Sequence, residues 1–324
     1  MEQAWILAGA TATGKTAVAQ LLAEQLGCAI LSADAMLVYR GMDIGTAKPS
    51  AVERGSVPYF GIDLVSPAES FSTGLWLADA ARALRSPPPA FRSPTSDLRP
   101  PTSGSHPLIV AGGTGLYIKA LTDGLDGAPA DPDARARWQA VFEREGLAAL
   151  QQAITERAPG ALESLADPSN PRRLIRALEH LEAHGDLPSQ WKKEAASAPI
   201  VVLHLPREQL HRRIARRVEA MFRQGLVDEV RALRQTCPVW SPTAAQAIGY
   251  AEACALLDGT LTAPEANERI IVRTRQLAKR QETWFRHQAH AVWLEIDADD
   301  PPAQIARRVL ETWRQYGPTT VVSP

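Results

Sequence analysis

The chain has 324 residues, of which 45% are hydrophobic and 22% charged, and its formal net charge is −1. That length allows one large α/β domain or two ordinary ones, and the charge excludes a polycation that binds nucleic acid over its whole surface. No apolar run approaches the roughly 18 residues of a transmembrane helix, and the first residues lack the basic region of a signal peptide. Three widely spaced cysteines disfavour a disulfide scaffold or a zinc site, so we expect a cytoplasmic protein.

Predicted strands and helices alternate along the chain. The first forty residues predict a strand, a loop, a helix and a second strand, at 4–8, 9–16, 17–27 and 28–31. Later patterns predict three more strands, at 108–111, 200–205 and 292–296, and two helices, at 207–235 and from about 302. Strands that alternate with helices are typical of a parallel sheet covered on both faces, so we predict an α/β fold.

Two segments interrupt this alternation. Residues 86–106 are rich in Pro, Ser and Thr, which predicts a flexible surface loop. Residues 125–195 have helical patterning without a strand-like run, which predicts a helical insertion. We therefore expect a discontinuous core, at 1–124 and 196–318, and a helical insertion domain at 125–195.

The clearest motif is a phosphate-binding loop between the first strand and the first helix. It fits GxxxxGK[ST], and its residues are Gly9, Ala10, Thr11, Ala12, Thr13, Gly14, Lys15 and Thr16. In such a loop, backbone N–H groups and a helix N-terminus surround the phosphates, the lysine adds positive charge and the hydroxyl binds Mg²⁺. The motif therefore predicts a site for a diphosphate or a triphosphate, with Mg²⁺ at Thr16.

The acidic residue near this loop follows the second strand. A phosphoryl-transfer enzyme usually holds Mg²⁺ with a carboxylate after a later strand, but the strand at 108–111 is followed by Gly112, Gly113 and Thr114. Asp34 lies at the sheet edge where open α/β proteins bind ligands. It could bind metal through water, accept a proton from a nucleophile, or cap a following helix. The run GGTG could bring Thr114 close to a ligand, or it could be a plain turn.

Three segments are rich in basic residues. The helix at 207–235 places Arg213 and Arg217 on one face near its start, where one of them could contact phosphates, whereas most of its other arginines fit a solvated face. Residues 269–286 carry six basic residues and one acid, with Trp284 on the same stripe, and residues 172–176 read Arg-Arg-Leu-Ile-Arg. Basic helices with an aromatic residue fit an RNA backbone, so the sequence predicts two contacts with one polyanion.

In this order, the motifs resemble those of bacterial tRNA dimethylallyltransferases. The similarity covers the phosphate loop and five further runs, at 32–49, 112–117, 170–173, 246–250 and 275–281. It implies a P-loop NTPase-like core that transfers a dimethylallyl group from dimethylallyl diphosphate, rather than using ATP, to N6 of the adenosine at tRNA position 37, 3′ to the anticodon. It also implies release of diphosphate, Mg²⁺ as cofactor and the tRNA anticodon stem-loop as partner. We expect a monomer that does not associate with membranes.

The resemblance further implies roles for single residues. Asp34 would accept a proton from the adenine N6 amine, Thr114 would lie at the reacting centre, and Arg217 would help Lys15 and Thr16 to stabilise charge on the departing diphosphate. The implied tRNA contacts are Asp34, Ala35, Met36, Leu37, Thr114, Arg135, Arg172, Arg173, Leu174, Ile175, Arg176, Gln246, Ala247, Ile248, Gly249, Tyr250, Ala251, Lys279, Arg280, Gln281, Glu282, Thr283, Trp284, Phe285 and Arg286.

The sequence departs from the family pattern in a few places, and other functions fit parts of it. Ala10 and Thr13 replace the usual Pro and Ser, and Tyr-Phe-Gly at 59–61 replaces a frequent His-His-Leu run. A small-molecule P-loop kinase would use Asp34 to activate a hydroxyl toward ATP, but it has no need of the basic helices. A non-catalytic RNA-binding protein has no need of an intact phosphate loop.

Overall fold

The structure is a computed structural model that describes residues 2–85, 108–124, 131–165, 167–187 and 198–322. The predicted Pro-rich loop, 86–106, lies outside the described residues. Contacts between residues divide the chain into two compact units, Met1–Asp123 with Glu194–Pro324 and Gly124–Lys193. Each unit is described by itself below.

Strands and helices alternate as the patterning indicates. The strands are β1 (Glu2–Gly9), β2 (Ala29–Ala33), β3 (Tyr59–Phe60), β4 (Leu108–Gly112), β5 (Ile200–His204), β6 (Ala291–Glu295) and β7 (Thr319–Val321). The helices are α1 (Lys15–Leu26), α2 (Ala51–Arg54), α3 (Thr73–Arg85), α4 (Gly115–Asp123), α5 (Pro132–Glu145), α6 (Leu147–Arg157), α7 (Ala161–Ser164), α8 (Pro171–His184), α9 (Arg207–Arg223), α10 (Leu226–Thr236), α11 (Pro242–Ala245), α12 (Tyr250–Leu257), α13 (Ala263–Gln288) and α14 (Pro302–Tyr316). Among the described residues, no helix is both long and apolar enough to cross a membrane.

A largely parallel sheet forms the centre of the first unit. Its strands lie in the order β3-β2-β4-β1-β5-β6, and β7 runs antiparallel beside the start of β1. Leu7 of β1 lies opposite Ala111 of β4 and Val201 of β5. The predicted α/β fold is confirmed, and the carboxyl ends of β1, β2, β4 and β5 meet at one edge of the sheet.

Neighbouring residues of a strand are buried on opposite faces of this sheet. Leu7 belongs to one hydrophobic cluster, together with Trp313 of α14, whereas Ile6 belongs to a second cluster, together with Trp76 of α3. Successive side chains of a strand point to opposite faces. A strand covered on both faces is therefore apolar at consecutive positions, which explains the unbroken apolar run of β1.

Two details differ from the prediction. The single helix predicted at 207–235 is wrong, because α9 ends at Arg223 and α10 begins at Leu226. Gly225 between them has a φ of 97°, a left-handed conformation that glycine tolerates and that ends α9. The sequence pattern also does not predict β3 and β7, because two or three residues are too few to show a strand period.

The second unit is helical in its described residues and contains α5 to α8. Both α5 and α8 begin with a proline after a polar capping residue: the side chains of Asp131 and Asn170 accept backbone N–H groups of the first helical turns. Leu150, Ile154 and Leu178 belong to a separate hydrophobic cluster inside this unit. The helical unit therefore has a hydrophobic core of its own.

Candidate active site

The phosphate loop turns from β1 into α1 with a strained but well-anchored backbone. Gly14 has a φ of 92° directly before α1, and Ala12 adopts the left-handed region with a φ of 66°. Thr13 is fully buried, and its hydroxyl donates a hydrogen bond to the carbonyl of Ala10 at 2.9 Å. A Cβ on Gly9 would lie 2.8 Å from the carbonyl oxygen of Leu203. The loop is thus held in shape by its own residues and by β5, with the N-terminus of α1 facing the site.

Lys15 is the first helical residue after this loop. Its ammonium group donates a hydrogen bond to the carbonyl of Ala10 at 2.6 Å. Desolvation lowers the pKa of Lys15 to about 8, Asp34 acts in the opposite direction, and Arg217 lowers the pKa further. An anion at this position would favour the charged form of the lysine.

Two arginines of α9 extend the positive charge. Arg213 lies beside the loop, because a Cβ on Gly14 would be 3.2 Å from its Nη2 atom. Arg217 donates a hydrogen bond from Nη2 to the carbonyl of Thr46 at 3.1 Å. Burial lowers the pKa of both guanidinium groups, and Asp34 partly opposes this for Arg217. Lys15 and Arg217 therefore both interact with Asp34, whereas Asp299 opposes the shift at Arg213, and this group of cations beside the loop favours a polyanionic ligand.

Asp34 and Thr114 lie next to each other at the ends of β2 and β4. Thr114 donates its backbone N–H to the carbonyl of Ala33 at 2.9 Å, and its hydroxyl accepts the N–H of Ala35 at 3.1 Å. Asp34 accepts the N–H of Met36 through Oδ1 at 2.9 Å. This bond shapes a turn, and the next helix begins only at residue 51, so the alternative role of Asp34 as a helix cap is wrong.

Lys15, Asp34 and Arg217 line one cavity at the carboxyl edge of the sheet, whereas Thr114 and Arg213 are not among its lining residues. Its volume is about 70 Å³. Its lining residues are Thr11, Ala12, Lys15, Thr16, Ala19, Ile30, Ser32, Asp34, Leu37, Thr46, Ala47, Pro49, Tyr59, Ala111, Gly112, Gly113, Arg217 and Gln281. Charged groups and apolar side chains share this lining, so an anion that carries an apolar group fits both parts.

Comparison with known proteins identifies the family. The family model described as IPP transferase matches residues 37–288, and the model described as isopentenyl transferase matches residues 2–57. The chain belongs to the IPP transferase family. The tRNA dimethylallyltransferase of Anaeromyxobacter dehalogenans strain 2CP-C is 40% identical over 313 residues, which cover 94% of this chain and 98% of that protein. The tRNA dimethylallyltransferase of Thermus thermophilus is 40% identical over 291 residues, which cover 89% of this chain and 91% of that protein.

Solved structures of family members have the same fold. The full-length tRNA isopentenylpyrophosphate transferase of Bacillus halodurans has 32% sequence identity and a TM-score of 0.62, with 98% of both chains covered. The Staphylococcus epidermidis enzyme has 26% identity and a TM-score of 0.63, with 97% of this chain and 99% of that chain covered. The resemblance to tRNA dimethylallyltransferases that the motifs indicate is confirmed, and the kinase and the non-catalytic alternatives are set aside.

The family run GMDIGTAKP forms a loop that α10 and α12 hold in place. Glu229 of α10 accepts the N–H groups of Asp43 and Ile44, at 3.2 and 2.8 Å, and the hydroxyl of Tyr250 at 2.5 Å. The same hydroxyl accepts the N–H of Gly45 at 3.2 Å. Burial and the Glu229 carboxylate raise the pKa of Tyr250, so its hydroxyl stays protonated and donates. The run therefore forms a preformed wall of the cavity.

Helix α13 contacts the phosphate loop through Gln281 and the start of α4 through Trp284, two of the residues that the resemblance implies as tRNA contacts. Gln281 accepts the N–H of Thr11 at 2.8 Å and donates to the carbonyl of Gly113 at 3.0 Å. Trp284 packs so closely on Gly115 that a Cβ there would overlap its ring. One side of α13 thus packs against the loops that form the site.

One arginine of α13 differs from the expectation of an unpaired basic stripe. Arg273 forms an ion pair with the buried carboxylate of Glu252 and donates to the carbonyl of Gln246 at 2.8 Å. Its charge is therefore used within the fold. By contrast, the side chains of Lys279, Arg280 and Arg286 are exposed.

The other implied tRNA contacts fall into three groups. Exposed members, which include Arg172, Arg173, Gln246 and Thr283, are open to a ligand. Partly buried members include Asp34, Ala35, Met36, Thr114, Ile248, Ala251 and Glu282. Buried members are Leu37, Leu174, Ile175, Ala247, Gly249, Tyr250 and Phe285. A continuous run covers every side of its segment, whereas a ligand touches one side, so we expect only part of each run to contact RNA; Leu37, although buried, lines the cavity.

Two further cavity residues carry no role in the sequence analysis. Ser32 is 3% exposed, and its hydroxyl makes no hydrogen bond within the described part of the chain. Tyr59 donates a hydrogen bond from its hydroxyl to Oε1 of Gln20 at 2.8 Å. The position of Ser32 two residues before Asp34, on a strand that ends at the site, is a signal that could have indicated it.

Proposed function

We propose that this chain transfers the dimethylallyl group of dimethylallyl diphosphate to N6 of adenosine 37 in tRNA and releases diphosphate. Membership of the family makes the chain a tRNA-modifying prenyltransferase, and its curated relatives are named tRNA dimethylallyltransferases. The observation that supports the donor is the positive charge beside the phosphate loop, where Lys15 and Arg217 lie close to Asp34 and Arg213 lies beside Gly14.

The phosphate loop binds the diphosphate of the donor. During transfer, the bond between C1 of the dimethylallyl group and the diphosphate oxygen breaks, and negative charge grows on the leaving diphosphate. Lys15 and Arg217 stabilise that charge, together with the N-terminal amides of α1. Because the surrounding loops are held by internal hydrogen bonds, these groups need little rearrangement during the reaction.

Asp34 and Thr114 act on the acceptor base. The N6 amine is a weak nucleophile, because its lone pair is delocalised into the adenine ring. As the bond between N6 and C1 forms, the Asp34 carboxylate accepts the N6 proton, and the Thr114 hydroxyl orients the base beside it. The adenosine must leave its stack to reach this edge of the sheet, which costs less in a single-stranded loop than in a duplex.

Mg²⁺ fits the oxygen atoms at this site. Thr16 and Asp34 line the cavity, and the buried hydroxyl of Ser32 makes no hydrogen bond to any described residue. Mg²⁺ is usually held by one or two protein oxygens, water and substrate phosphates. When bound through Thr16 and Ser32, it would supply further positive charge beside the diphosphate.

The RNA partner in this proposal is the anticodon stem-loop. Exposed Lys279, Arg280 and Arg286 on α13 and exposed Arg172 and Arg173 on α8 offer charges for its backbone. We propose a monomer that acts in the cytoplasm.

A transfer assay tests the function. Purified protein, Mg²⁺ and labelled dimethylallyl diphosphate are mixed with an unmodified anticodon stem-loop that carries adenosine at positions 36 and 37. We expect label on this RNA and none on the same RNA with guanosine at position 37. An Asp34→Asn variant should transfer about 10²- to 10⁴-fold more slowly.

Two results would contradict parts of this proposal. Full activity of Asp34→Asn would remove the assignment of the base while the reaction stands. A folded protein that labels no RNA but transfers phosphate from ATP to an alcohol would overturn the reaction itself.

A further inference from the structure

One amide of the phosphate loop is already occupied by a protein side chain. The N–H of Thr11 donates to Oε1 of Gln281 at 2.8 Å, across 270 positions of sequence. The amides of Gly14, Lys15 and Thr16, at the other end of the loop, begin α1. The amides at the α1 end of the loop are therefore available to a ligand, whereas the N–H of Thr11, near the β1 end, is bonded to Gln281.

Two contacts fix the orientation of the Gln281 amide. Its Oε1 faces the N–H of Thr11, and its Nε2 faces the carbonyl of Gly113 at 3.0 Å. If the amide were rotated by 180°, its NH₂ group would face the N–H of Thr11 and its oxygen would face the carbonyl of Gly113. Both contacts would then be repulsive, which costs free energy in a partly buried site. A Cβ on Gly113 would overlap Nε2, so the glycine allows this close approach.

The helix behind Gln281 is anchored in the core. Ala278 lies one turn before Gln281 and Phe285 one turn after it, and both are buried. Residues at these spacings share one helix face. Gln281 also lines the cavity together with Lys15 and Arg217. Its side chain is therefore a fixed wall of the cavity.

The position of Gln281 limits how many phosphoryl groups a ligand of the phosphate loop can have. In loops of this class, backbone N–H groups hold the inner phosphates and the lysine reaches the outer ones. The Lys15 ammonium group lies 2.6 Å from the carbonyl oxygen of Ala10, next to Thr11, so an outer phosphate on Lys15 would lie toward the first half of the loop. A diphosphate at the start of α1 leaves the N–H of Thr11 unused. A third phosphoryl group would need the space and the donor that Gln281 takes.

We propose that Gln281 restricts the phosphate loop to diphosphates and excludes triphosphates such as ATP. This inference rests on the proposed function, in which the loop binds the diphosphate of the donor. Gln281 is a specificity-determining residue in this role and takes no part in bond formation.

Binding of inorganic diphosphate and inorganic triphosphate, measured by titration calorimetry in Mg²⁺, tests the proposal. The wild-type protein should prefer diphosphate. In Gln281→Ala, the affinity for triphosphate relative to diphosphate should rise about tenfold or more, because the N–H of Thr11 and the adjoining space become free. Gln276→Ala, at an exposed position of the same helix, should leave the ratio unchanged.

A second variant separates space from hydrogen bonding and also serves if Gln281→Ala does not fold. Gln281→Met keeps the length of the side chain and removes the acceptor, so the ratio should rise less than in Gln281→Ala. A ratio within twofold of wild type in folded Gln281 variants would overturn the proposal. Loss of all diphosphate binding would also overturn it, because Gln281 would then only hold the loop.

The transfer assay distinguishes this failure from failure of the proposed function. If wild-type protein transfers dimethylallyl groups and the ratio does not move, only the role of Gln281 fails. If the ratio moves and no transfer occurs, the role of Gln281 in anion selection stands and the proposed reaction fails.

Discussion

The phosphate-loop cavity and the helical unit both gather arginines around a carboxylate, but their charge balance differs. In the helical unit, Glu179 is 2% exposed and accepts Arg135 through two hydrogen bonds, at 2.6 and 3.2 Å, and Arg176 at 2.9 Å. The side chains of Arg135 and Arg176 remain 53% and 32% exposed. These arginines therefore keep both a partner and water.

The cavity lacks this balance. Lys15 and Arg217 lose water, their pKa values fall, and Asp34 is the carboxylate that opposes both shifts. In this chain, desolvated positive charge, rather than the number of arginines, distinguishes the proposed ligand site from the helical unit. Arg135 and Arg176, which the family pattern assigns to tRNA, resemble structural pairs by this criterion.

Replacement of Arg217 by glutamine should have the largest effect. Transfer should slow by about 10²- to 10³-fold, because a group that stabilises the leaving diphosphate is lost. The free energy of unfolding should fall by no more than about 1 kcal/mol, because the lost hydrogen bond to Thr46 is offset by relief of a desolvated charge. Single-turnover kinetics and urea denaturation measure the two effects. Arg216→Gln, at an exposed position beside it, serves as the control.

Replacement of Glu179 by glutamine should show the opposite pattern. The free energy of unfolding should fall by about 1–3 kcal/mol, since a buried acceptor of three charge-assisted hydrogen bonds is weakened while its arginines can still turn toward water. Diphosphate affinity should not change. Glu182→Gln, which weakens the more exposed pair with Arg137, should cost less than about 1 kcal/mol. Equal losses in both variants would show that the burial of Glu179 does not matter.

The smallest effect is a pH dependence of diphosphate binding. Lys15 has a pKa of about 8 in the free protein, so it is charged below that pH and becomes neutral above it. Affinity for inorganic diphosphate should therefore fall, by up to about tenfold per pH unit, as the pH rises above 8. Diphosphate itself also titrates, so the comparison is with Lys15→Arg, which keeps its charge. Identical pH profiles for both proteins would contradict the assignment.

Short motifs beside strand ends could be predicted from the sequence. The phosphate loop, Asp34 and Thr114 each follow an apolar run, and parallel strands bring their carboxyl ends together. Local pattern and sheet geometry therefore determine these positions. The proposed roles of these residues stay predictions until the transfer assay is performed.

Contacts between distant parts of the chain could not be predicted. Gln281 bonds to Thr11 across 270 positions, and Glu229 reaches the family loop because the chain turns at Gly225 between α9 and α10. A helix pattern shows which residues share a face, but it does not identify the surface against which that face packs. The pairing of Arg273 with Glu252 has the same origin.

The antiparallel strand β7 has a consequence for how the protein is made. Glu2 pairs with Val321 and Ala4 with Thr319, while the rest of β1 pairs with β4 and β5. Translation proceeds from the N-terminus, so β1 emerges from the ribosome before β4, β5 and β7, and β7 is the last of these partners to emerge. The edge of β1 at residues 2–4 therefore stays without this partner until β7 has been made, and unpaired strand edges promote aggregation. Folding of the sheet is expected to finish only after β7 has left the ribosome.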